Sequence, residues 1–307
     1  FITAPEISQV FGELIGIWCV AAWQAMGAPP SFNLVELGPG RGRLMSDILR
    51  AGKVAPGFHT AIKIHLVEIS PRLRNIQHKT IGNNILWHDT LASVPDGPMV
   101  LVANEFFDAI PIRQFERRRG RWRERCVGLE GERLIIGLME VEAVLGQGTP
   151  GRDGDIIEFA PWRADIGGEI GTRLARQAGA ALIIDYGNLI SAPGDTLQAV
   201  RKHKHVPITE APGECDLTSH VDFEALTKAL RRSGAVVWQG LTQRAFLTAM
   251  GLEARFAALS ARADPRMADM LQRAMARLVD EAQMGNLFKV IAATSPGLTT
   301  PYPFGQT

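Results

Sequence analysis

The sequence predicts an α/β fold built on a doubly wound sheet of seven strands. Short apolar, β-branched runs alternate along the chain with segments in which apolar residues recur at helical spacing. Strands joined by crossover helices are typical of such a sheet. A chain of 307 residues with 46% apolar content can bury the core that this fold needs. We therefore expect a single domain over residues 1–307.

Seven segments carry the strand pattern and four carry a helical one. The predicted strands are 31–37, 61–70, 84–89, 99–106, 180–187, 235–241 and 287–295. The fourth is nearly continuous in apolar residues, as is typical of a strand covered on both faces. The predicted helices are 43–52, 71–81, 169–179 and 221–234.

Two further segments depart from this alternation, and we interpret both as insertions. Within 112–160, polar and apolar residues alternate around Gly120 and Gly131, which predicts a β-meander at the edge of the sheet. The segment 242–284 is helical in pattern, with a break predicted at Pro265.

Composition excludes several classes of protein. A net charge of +1 provides no general attraction for nucleic acid. The three cysteines are odd in number and form no C-x-x-C pair, which argues against a disulfide framework or a zinc site and favours a reducing compartment. We predict no bound metal and, since no apolar run approaches the ~18 residues of a membrane span, no membrane insertion. Because the chain opens on Phe1, we expect that a preceding segment is missing.

A glycine-rich turn, VELGPGRGRL (35–44), follows the first predicted strand. A dinucleotide-binding turn would need its third glycine at Arg43, so the spacing argues against NAD, and no G-K-[ST] is present for a triphosphate. Glu36, Gly38, Gly40 and Gly42 instead follow the pattern of class I methyltransferases that bind S-adenosylmethionine. The alternative is a strand-to-helix turn with no ligand.

Two acidic residues follow the next strands in the order that this cofactor would need. Glu68 ends the second strand, where an ionised carboxylate can accept hydrogen bonds from both ribose hydroxyls. Asp89 follows the third strand, where such folds hold the adenine amino group. Either acid alone could be a solvated strand end, but with the glycine turn they favour the cofactor.

The segment NEFFDAIP (104–111) follows the fourth strand, at the position that borders the transferred methyl group. Methyltransferases that act on the amino groups of bases have Asn or Asp there, followed by Pro-Pro and an aromatic residue. In this chain, Glu105 stands in place of the first proline. A guanidinium acceptor would find the carboxylates of Glu105 and Asp108 and the faces of two phenylalanines. Alternatively, the phenylalanines belong to the core and the acids cap a turn.

These blocks resemble the MidA-like family of methyltransferases, whose mitochondrial members are protein arginine methyltransferases in complex I assembly. The resemblance is carried in order by FITAPEISQVFGE, ELGPGRG, NEFFDAIPIRQF, IIDYG, GDTLQAVRKH and DLTSHVDFEAL. It implies a seven-stranded Rossmann-like methyltransferase sheet, S-adenosyl-L-methionine as donor, and symmetric dimethylation of an arginine on a subunit of respiratory complex I. The family also carries an aromatic, glycine-rich segment before FITAPEIS, which is absent here.

Further site residues come from the N-terminal block and from two other positions. Thr3, Pro5 and Glu6 are expected to border the cofactor, although Thr3 and Glu6 could equally form a capping box. We also expect Asn104 to contact the cofactor. His220 is either a residue at the start of a helix or a group that helps to accept a proton.

The leading prediction is therefore a protein arginine methyltransferase in which Glu105, Asp108 and His220 serve catalysis. An RNA methyltransferase is the first alternative, favoured by six arginines within 116–125 and disfavoured by the missing Pro-Pro. A catalytically silent assembly chaperone is the second. The resemblance places the protein in the cytoplasm of a bacterium or in the mitochondrial matrix of a eukaryote, and the sequence does not predict an oligomeric state.

Overall fold

The computed structural model describes residues 3–140, 150–202 and 204–305. Its strands are β1 (Phe32–Leu37), β2 (Ile62–Val67), β3 (Ile85–His88), β4 (Met99–Asn104), β5 (Arg113–Arg118), β6 (Arg121–Glu130), β7 (Arg133–Glu140), β8 (Ile156–Phe159), β9 (Gly179–Asn188), β10 (Gln198–Arg201), β11 (Lys204–Val206), β12 (Asp216–Thr218), β13 (Val221–Asp222), β14 (Val236–Val237), β15 (Leu241–Thr242) and β16 (Phe288–Thr294).

Eleven α-helices accompany these strands in the described part of the chain. They are α1 (Ala4–Ile7), α2 (Gln9–Ala25), α3 (Arg43–Ala51), α4 (Pro56–Ala61), α5 (Pro71–Ile81), α6 (Pro161–Arg176), α7 (Phe223–Arg232), α8 (Gln243–Ala249), α9 (Leu252–Ser260), α10 (Pro265–Val279) and α11 (Met284–Leu287).

The main sheet has the order β14-β16-β9-β4-β1-β2-β3 along its seven-stranded path, with β13 and β15 paired beside it. The contiguous strands from β9 to β3 are parallel, whereas β16 runs antiparallel between β9 and β14. The predicted fold class, a doubly wound α/β sheet of seven strands, is confirmed. Because parallel strands share a direction, the carboxyl ends of β1, β2, β4 and β9 lie along one edge.

Alternate side chains of the central strands point into two cores. On one face, Leu34 and Val102 pack with α2, α3 and the helices of the C-terminal insertion. On the other face, Val35 and Leu101 pack with α6 and α7. Burial on both faces explains why β1 and β4 are apolar along nearly their whole length.

The two insertions have the predicted β-rich and helical character, but the described strands of the first do not extend the edge of the main sheet as predicted. Strands β5, β6, β7 and β8 form a separate antiparallel sheet of four strands, ordered β7-β6-β5-β8. Residues 141–149 of the predicted meander lie outside the described residues. The C-terminal insertion contains α8 to α11, and its helical pattern stops before Pro265, where the side chain of Asp264 accepts a hydrogen bond from Met267 N–H to start α10.

The predicted strand 235–241 is wrong as a single element. Only Val236–Val237 and Leu241–Thr242 pair with β16, in two separate places. Between them, a Cβ atom on Gly240 would lie 2.4 Å from the side chain of Leu189, so close packing accompanies the interruption. The small sheet β11-β10-β12 and helix α2 were not predicted. Helix α2 is apolar on most of its surface and therefore lacks the one-sided pattern that identifies surface helices.

Candidate functional site

The glycine turn connects β1 to α3 at the carboxyl edge of the sheet. Gly38, Gly40 and Gly42 have φ values of 61°, 51° and 78°, a backbone conformation that residues with a Cβ rarely adopt. A Cβ atom on Gly38 would lie 2.8 Å from Phe106, and one on Gly42 would lie 2.9 Å from Ile81. At Gly40, no described protein atom lies within 4 Å of such an atom. The first and third glycines therefore permit packing within the protein, and the second keeps one side of the turn open.

Glu36 lies within β1 rather than after it, on the face that packs against α3. Glu36 is only 3% exposed, and this burial raises the pKa of its carboxyl to about 8. A hydrogen bond from the Met45 backbone N–H lowers the pKa, but by less. Among the described residues, its buried Oε2 atom has no hydrogen-bond partner. An acceptor of this kind next to the turn is suited to an N–H or O–H donor of a ligand.

Glu68 follows β2 directly and is almost fully buried. Its Oε1 atom accepts a hydrogen bond from Ser70 N–H at 2.8 Å, and its Oε2 atom accepts one from Gln77 Nε2 at 3.2 Å. The same Gln77 amide donates to the carbonyl oxygen of Gly40 at 2.9 Å. The structure thus connects Glu68 to the glycine turn through a residue that sequence reasoning missed.

Asp89 lies at the end of β3, in a more open position than Glu68. Its side chain is 80% exposed and forms an ion pair with Arg74, with 2.7 Å between Nη2 and Oδ1. Arg74 also donates to the backbone carbonyl of Glu68. Asp89 is therefore connected to the Glu68 segment but keeps most of its carboxylate in contact with solvent.

The N-terminal block lies over both the glycine turn and the end of β4. Glu6 forms an ion pair with Arg41 of the turn at 3.6 Å, and the backbone N–H of Ala4 donates to Glu105 Oε1 at 3.0 Å. Pro5 is buried in α1. The capping-box interpretation is wrong, because the Thr3 side chain accepts no capping hydrogen bond. The structure therefore brings Glu6 next to the turn and Ala4 next to Glu105, and Thr3 and Pro5 are the chain neighbours of Ala4.

Glu105 occupies a strained backbone position, with φ of +50° directly after β4. Its Oε1 atom accepts hydrogen bonds from Ala4 N–H and from Asn104 Nδ2, the latter at 3.2 Å. Burial is the main cause that raises the pKa of the Glu105 carboxyl to about 7, and the charge of Asp108 raises it further. Asn104 itself is buried, and its Oδ1 atom has no partner among the described residues.

The two phenylalanines that follow Glu105 differ in their surroundings. Phe107 is 0% exposed and packs in the core beneath α6 and α7, so its faces are covered. Phe106 is only partly buried, and its ring lies against the glycine turn. Phe107 therefore belongs to the core, as the alternative interpretation had it, and only Phe106 could contact an acceptor.

Asp108 is buried and points toward the end of β9. Burial raises the pKa of the Asp108 carboxyl, whereas the nearby Tyr186 hydroxyl lowers it. Its backbone N–H, with those of Phe106 and Phe107, donates to the Oδ2 atom of Asp185 at 2.9 to 3.2 Å. Asp185 is fully buried and was not among the predicted site residues, although it lies in the IIDYG block. Its carboxylate fixes the backbone of residues 106–108.

His220 lies on the far side of Tyr186, between β12 and β13. The two rings pack edge to face with centroids 5.4 Å apart, and burial lowers the pKa of His220. Arg163, also missed by sequence reasoning, donates to the backbone carbonyls of His220 at 2.7 Å and of Asp108 at 3.1 Å. His220 is thus connected to Asp108 through Tyr186 and Arg163, and neither of its ring nitrogens has a hydrogen bond to Glu105 or Asp108 in the described structure.

Comparison with known proteins identifies the family of this chain. A model of putative S-adenosyl-L-methionine-dependent methyltransferases matches residues 14–242. The chain belongs to this family. The open glycine turn and the unpartnered oxygen of Glu36 fit the donor, whose amino-acid portion carries hydrogen-bond donors and needs close backbone approach.

Relatives and solved structures agree with this assignment. The chain is 35% identical over 318 residues to the mitochondrial protein arginine methyltransferase NDUFAF7 of Danio rerio, covering 94% of this chain and 75% of that protein. It is 34% identical to the Homo sapiens protein of the same name, over 95% of this chain and 73% of that one. A Burkholderia thailandensis protein bound to S-adenosyl-homocysteine superposes with a TM-score of 0.83 at 27% identity, covering 98% of this chain and 80% of that one.

The protein is therefore an S-adenosylmethionine-dependent methyltransferase, and its cofactor is S-adenosyl-L-methionine. Across residues 3–140, 150–202 and 204–305, no group of three or more His, Cys, Asp or Glu side chains is arranged to hold a metal ion. No helix in the same residues is long and apolar enough to cross a membrane.

Proposed function

We propose that this methyltransferase transfers the donor's methyl group to a guanidinium nitrogen of an arginine in a protein, a subunit of a respiratory complex of the complex I type. The observation that carries the proposal is the pair of buried carboxyl groups of Glu105 and Asp108, on the segment whose Phe106 ring lies against the glycine turn. Relatives that align over nearly the whole chain are named protein arginine methyltransferases. We further propose symmetric dimethylation as the product, and the mitochondrial matrix as the location in a eukaryote or the cytoplasm in a bacterium.

In this proposal, Thr3, Pro5, Glu6, Glu36, Asn104 and the three turn glycines contact the amino-acid end of the donor, Glu68 binds its ribose and Asp89 its adenine. When bound, the donor supplies an electrophilic sulfonium methyl group. The protein must then hold the acceptor nitrogen in line with that methyl group, and positioning of this kind can lower a barrier by ~7 to 11 kcal/mol.

The two carboxyl groups have complementary roles toward the acceptor. Ionised Glu105 would orient the planar guanidinium through charge-assisted hydrogen bonds and draw its positive charge away from the reacting nitrogen. Asp108, whose Oδ1 atom has no hydrogen-bond partner in the described structure, would bind a second N–H. As the nitrogen forms its bond to carbon, it loses a proton, which these carboxylates or neutral His220 can accept.

The surface arginines give the RNA alternative little support. Of the six within 116–125, Arg118, Arg123 and Arg125 form ion pairs with nearby carboxylates. The guanidinium of Arg117 lies over the ring of Trp122, 5.7 Å from its centroid. These contacts use charge that a phosphate backbone would need.

Incubation of the protein with methyl-labelled S-adenosylmethionine and a respiring-cell extract tests the proposal. After separation of protein from RNA, label should appear in methylarginine on hydrolysis of one or a few proteins, and a Glu68→Ala protein should transfer far less. Label in RNA would replace this function with RNA methylation. Donor binding without transfer to either fraction would favour an assembly chaperone.

A further inference from the structure

Gln77 lies next to the proposed donor site, but the sequence analysis predicted no role for it. We propose that it is a positioning residue, which fixes the glycine turn, Glu68 and the end of β3 relative to one another so that they bind the donor together. This inference rests on the proposed placement of the donor across these elements. Gln77 itself would touch no part of the donor.

The side chain of Gln77 is fully buried in α5, and both its Nε2 group and its Oε1 atom form hydrogen bonds. Its Nε2 group donates to the Gly40 carbonyl at 2.9 Å and to Glu68 Oε2 at 3.2 Å. Its Oε1 atom accepts from Trp87 Nε1 at 2.8 Å. One amide therefore reaches three neighbouring elements of the carboxyl edge of the sheet.

The partners of Gln77 fix the orientation of its amide. The indole nitrogen of Trp87 can only donate, and both the Gly40 carbonyl and an ionised Glu68 can only accept. With the amide flipped, its oxygen would face the acceptors of Gly40 and Glu68, and its NH₂ group would face the N–H donor of Trp87. The orientation is thus determined by chemistry, and a residue of similar shape but different polarity cannot replace it.

This arrangement prepares Glu68 for a ligand. Each of its carboxylate oxygens accepts one hydrogen bond from the protein, Oε1 from Ser70 and Oε2 from Gln77. An ionised carboxylate has about four acceptor sites, so each oxygen retains capacity for one hydroxyl of a ribose. Gln77 and Ser70 therefore hold both oxygens in place without using the sites that a vicinal diol would need.

Close packing extends the same connection to the rest of the turn. A Cβ atom on Gly42 would lie 3.4 Å from the Cα atom of Gln77 and 2.9 Å from Ile81, so α5 lies directly against the turn. Trp87 belongs to β3, two residues before Asp89. Displacement of the Gln77 amide would consequently alter the proposed contacts with the amino-acid, ribose and adenine portions of the donor.

Calorimetric titration with S-adenosylhomocysteine, the stable product form of the donor, tests the proposal. Gln77→Met keeps the length of the side chain and removes the three hydrogen bonds, and we expect the dissociation constant to rise at least tenfold. Gln177→Met is the matched control, because Gln177 accepts a hydrogen bond from the distant Gly97 backbone and lies outside the site. Its affinity should match that of the unmodified protein.

A double-variant cycle separates positioning from general loss of stability. If Gln77 acts through Glu68, Gln77→Met should weaken binding much less in a Glu68→Ala background than on its own. Gln77→Glu offers a second route: protonation restores one donor, so its affinity relative to the unmodified protein should improve from pH 8 to pH 6. General destabilisation would not make the effects of the two substitutions non-additive.

The results distinguish failure of this inference from failure of the proposed site. Unchanged affinity in folded Gln77→Met would overturn the role of Gln77 while leaving Glu68 as a donor contact. So would a double variant whose fold-loss in affinity equals the product of the two single losses. Unchanged affinity in Glu68→Ala would instead overturn the placement of the donor, and the positioning role with it.

Discussion

Gly40 is the residue whose side of the turn is most open to a ligand. Replacing it with valine should abolish donor binding, because a side chain would occupy the space through which the donor's amino-acid portion approaches. The positive φ should cost about 1 kcal/mol or more in stability, measured by chemical denaturation. Gly131→Val is a suitable control, since Gly131 has φ of 61° and equally open surroundings in the β6–β7 turn. Equal donor affinity in both variants would remove the turn from the site.

The elevated pKa of Glu105 leads to a prediction for the pH dependence of catalysis. Its carboxyl, with a pKa of about 7, is mostly neutral at pH 6 and mostly ionised at pH 8. If the ionised form orients the guanidinium, the rate at saturating donor and acceptor should rise through about pH 7. Initial rates between pH 5.5 and 8.5 measure this. A rate that falls over the same range would exclude the ionised carboxylate as the active form.

Short motifs predicted the positions of single residues at the carboxyl edge of the sheet. The three glycines, Glu68 and Glu105 lie there because each follows a strongly apolar strand. Gln77, Asp185 and Arg163 could not, because each makes at least one essential contact with a residue 37 to 79 positions distant in sequence. For Asp185, the sequence did offer one signal, since this aspartate lies near the end of the fifth predicted strand.

The segment after β4 is the element proposed to bind the acceptor, and Asp185 fixes its backbone. Its Oδ2 atom accepts three consecutive backbone N–H groups, and its Oδ1 atom accepts that of Tyr186 at 3.0 Å. In Asp185→Asn an amide NH₂ must face at least one of these donors. We expect a loss of about 1 to 3 kcal/mol in the free energy of unfolding.

The same variant should affect transfer more than donor binding, because Asp185 fixes residues 106–108, proposed to face the acceptor, whereas the proposed donor contacts lie mainly after β1 and β2. Denaturant titration, donor calorimetry and initial rates on one preparation compare the three quantities. Asp195→Asn, at a more exposed carboxylate, is the control for loss of a charge. A folded Asp185→Asn protein with full activity would show that the segment needs no such support.

At the scale of elements, hydrophobic periodicity predicted the strands of the main sheet well, except in the β14–β15 region. Strands β1 and β4 are buried along their whole length, so their sequences are almost continuously apolar. The β14–β15 region is interrupted by tertiary packing around Gly240, which local pattern does not reveal. Helix α2 was missed for a related reason, since burial on several sides removes the polar face.

For the whole molecule, buried Glu36 links stability to pH. Its pKa is about 8 when folded and near its ordinary value of 4.5 when unfolded, so between these values the folded protein retains a proton that the unfolded chain releases. Stability therefore falls as pH rises through this window and levels off above about 8.

Between pH 6.5 and 8, where a pKa difference of one unit corresponds to about 1.4 kcal/mol, we expect a loss of about 2 kcal/mol in the free energy of unfolding. Denaturant titration without donor measures it, and Glu36→Gln, which stays neutral, should reduce the slope. Stability that rises over this range in the unmodified protein, or an unchanged slope in Glu36→Gln, would contradict the assignment.

The most direct test of the account is arginine methylation by Glu105→Gln, followed by mass spectrometry of the modified respiratory subunit. Glutamine can retain the hydrogen bonds from Ala4 and Asn104 through its own Oε1 atom, so donor affinity and fold should be preserved while the orienting charge is lost. The account predicts that methyl transfer falls by orders of magnitude with the donor's dissociation constant little changed. Methylation of the same arginine at the unmodified rate would contradict it and remove Glu105 from the mechanism.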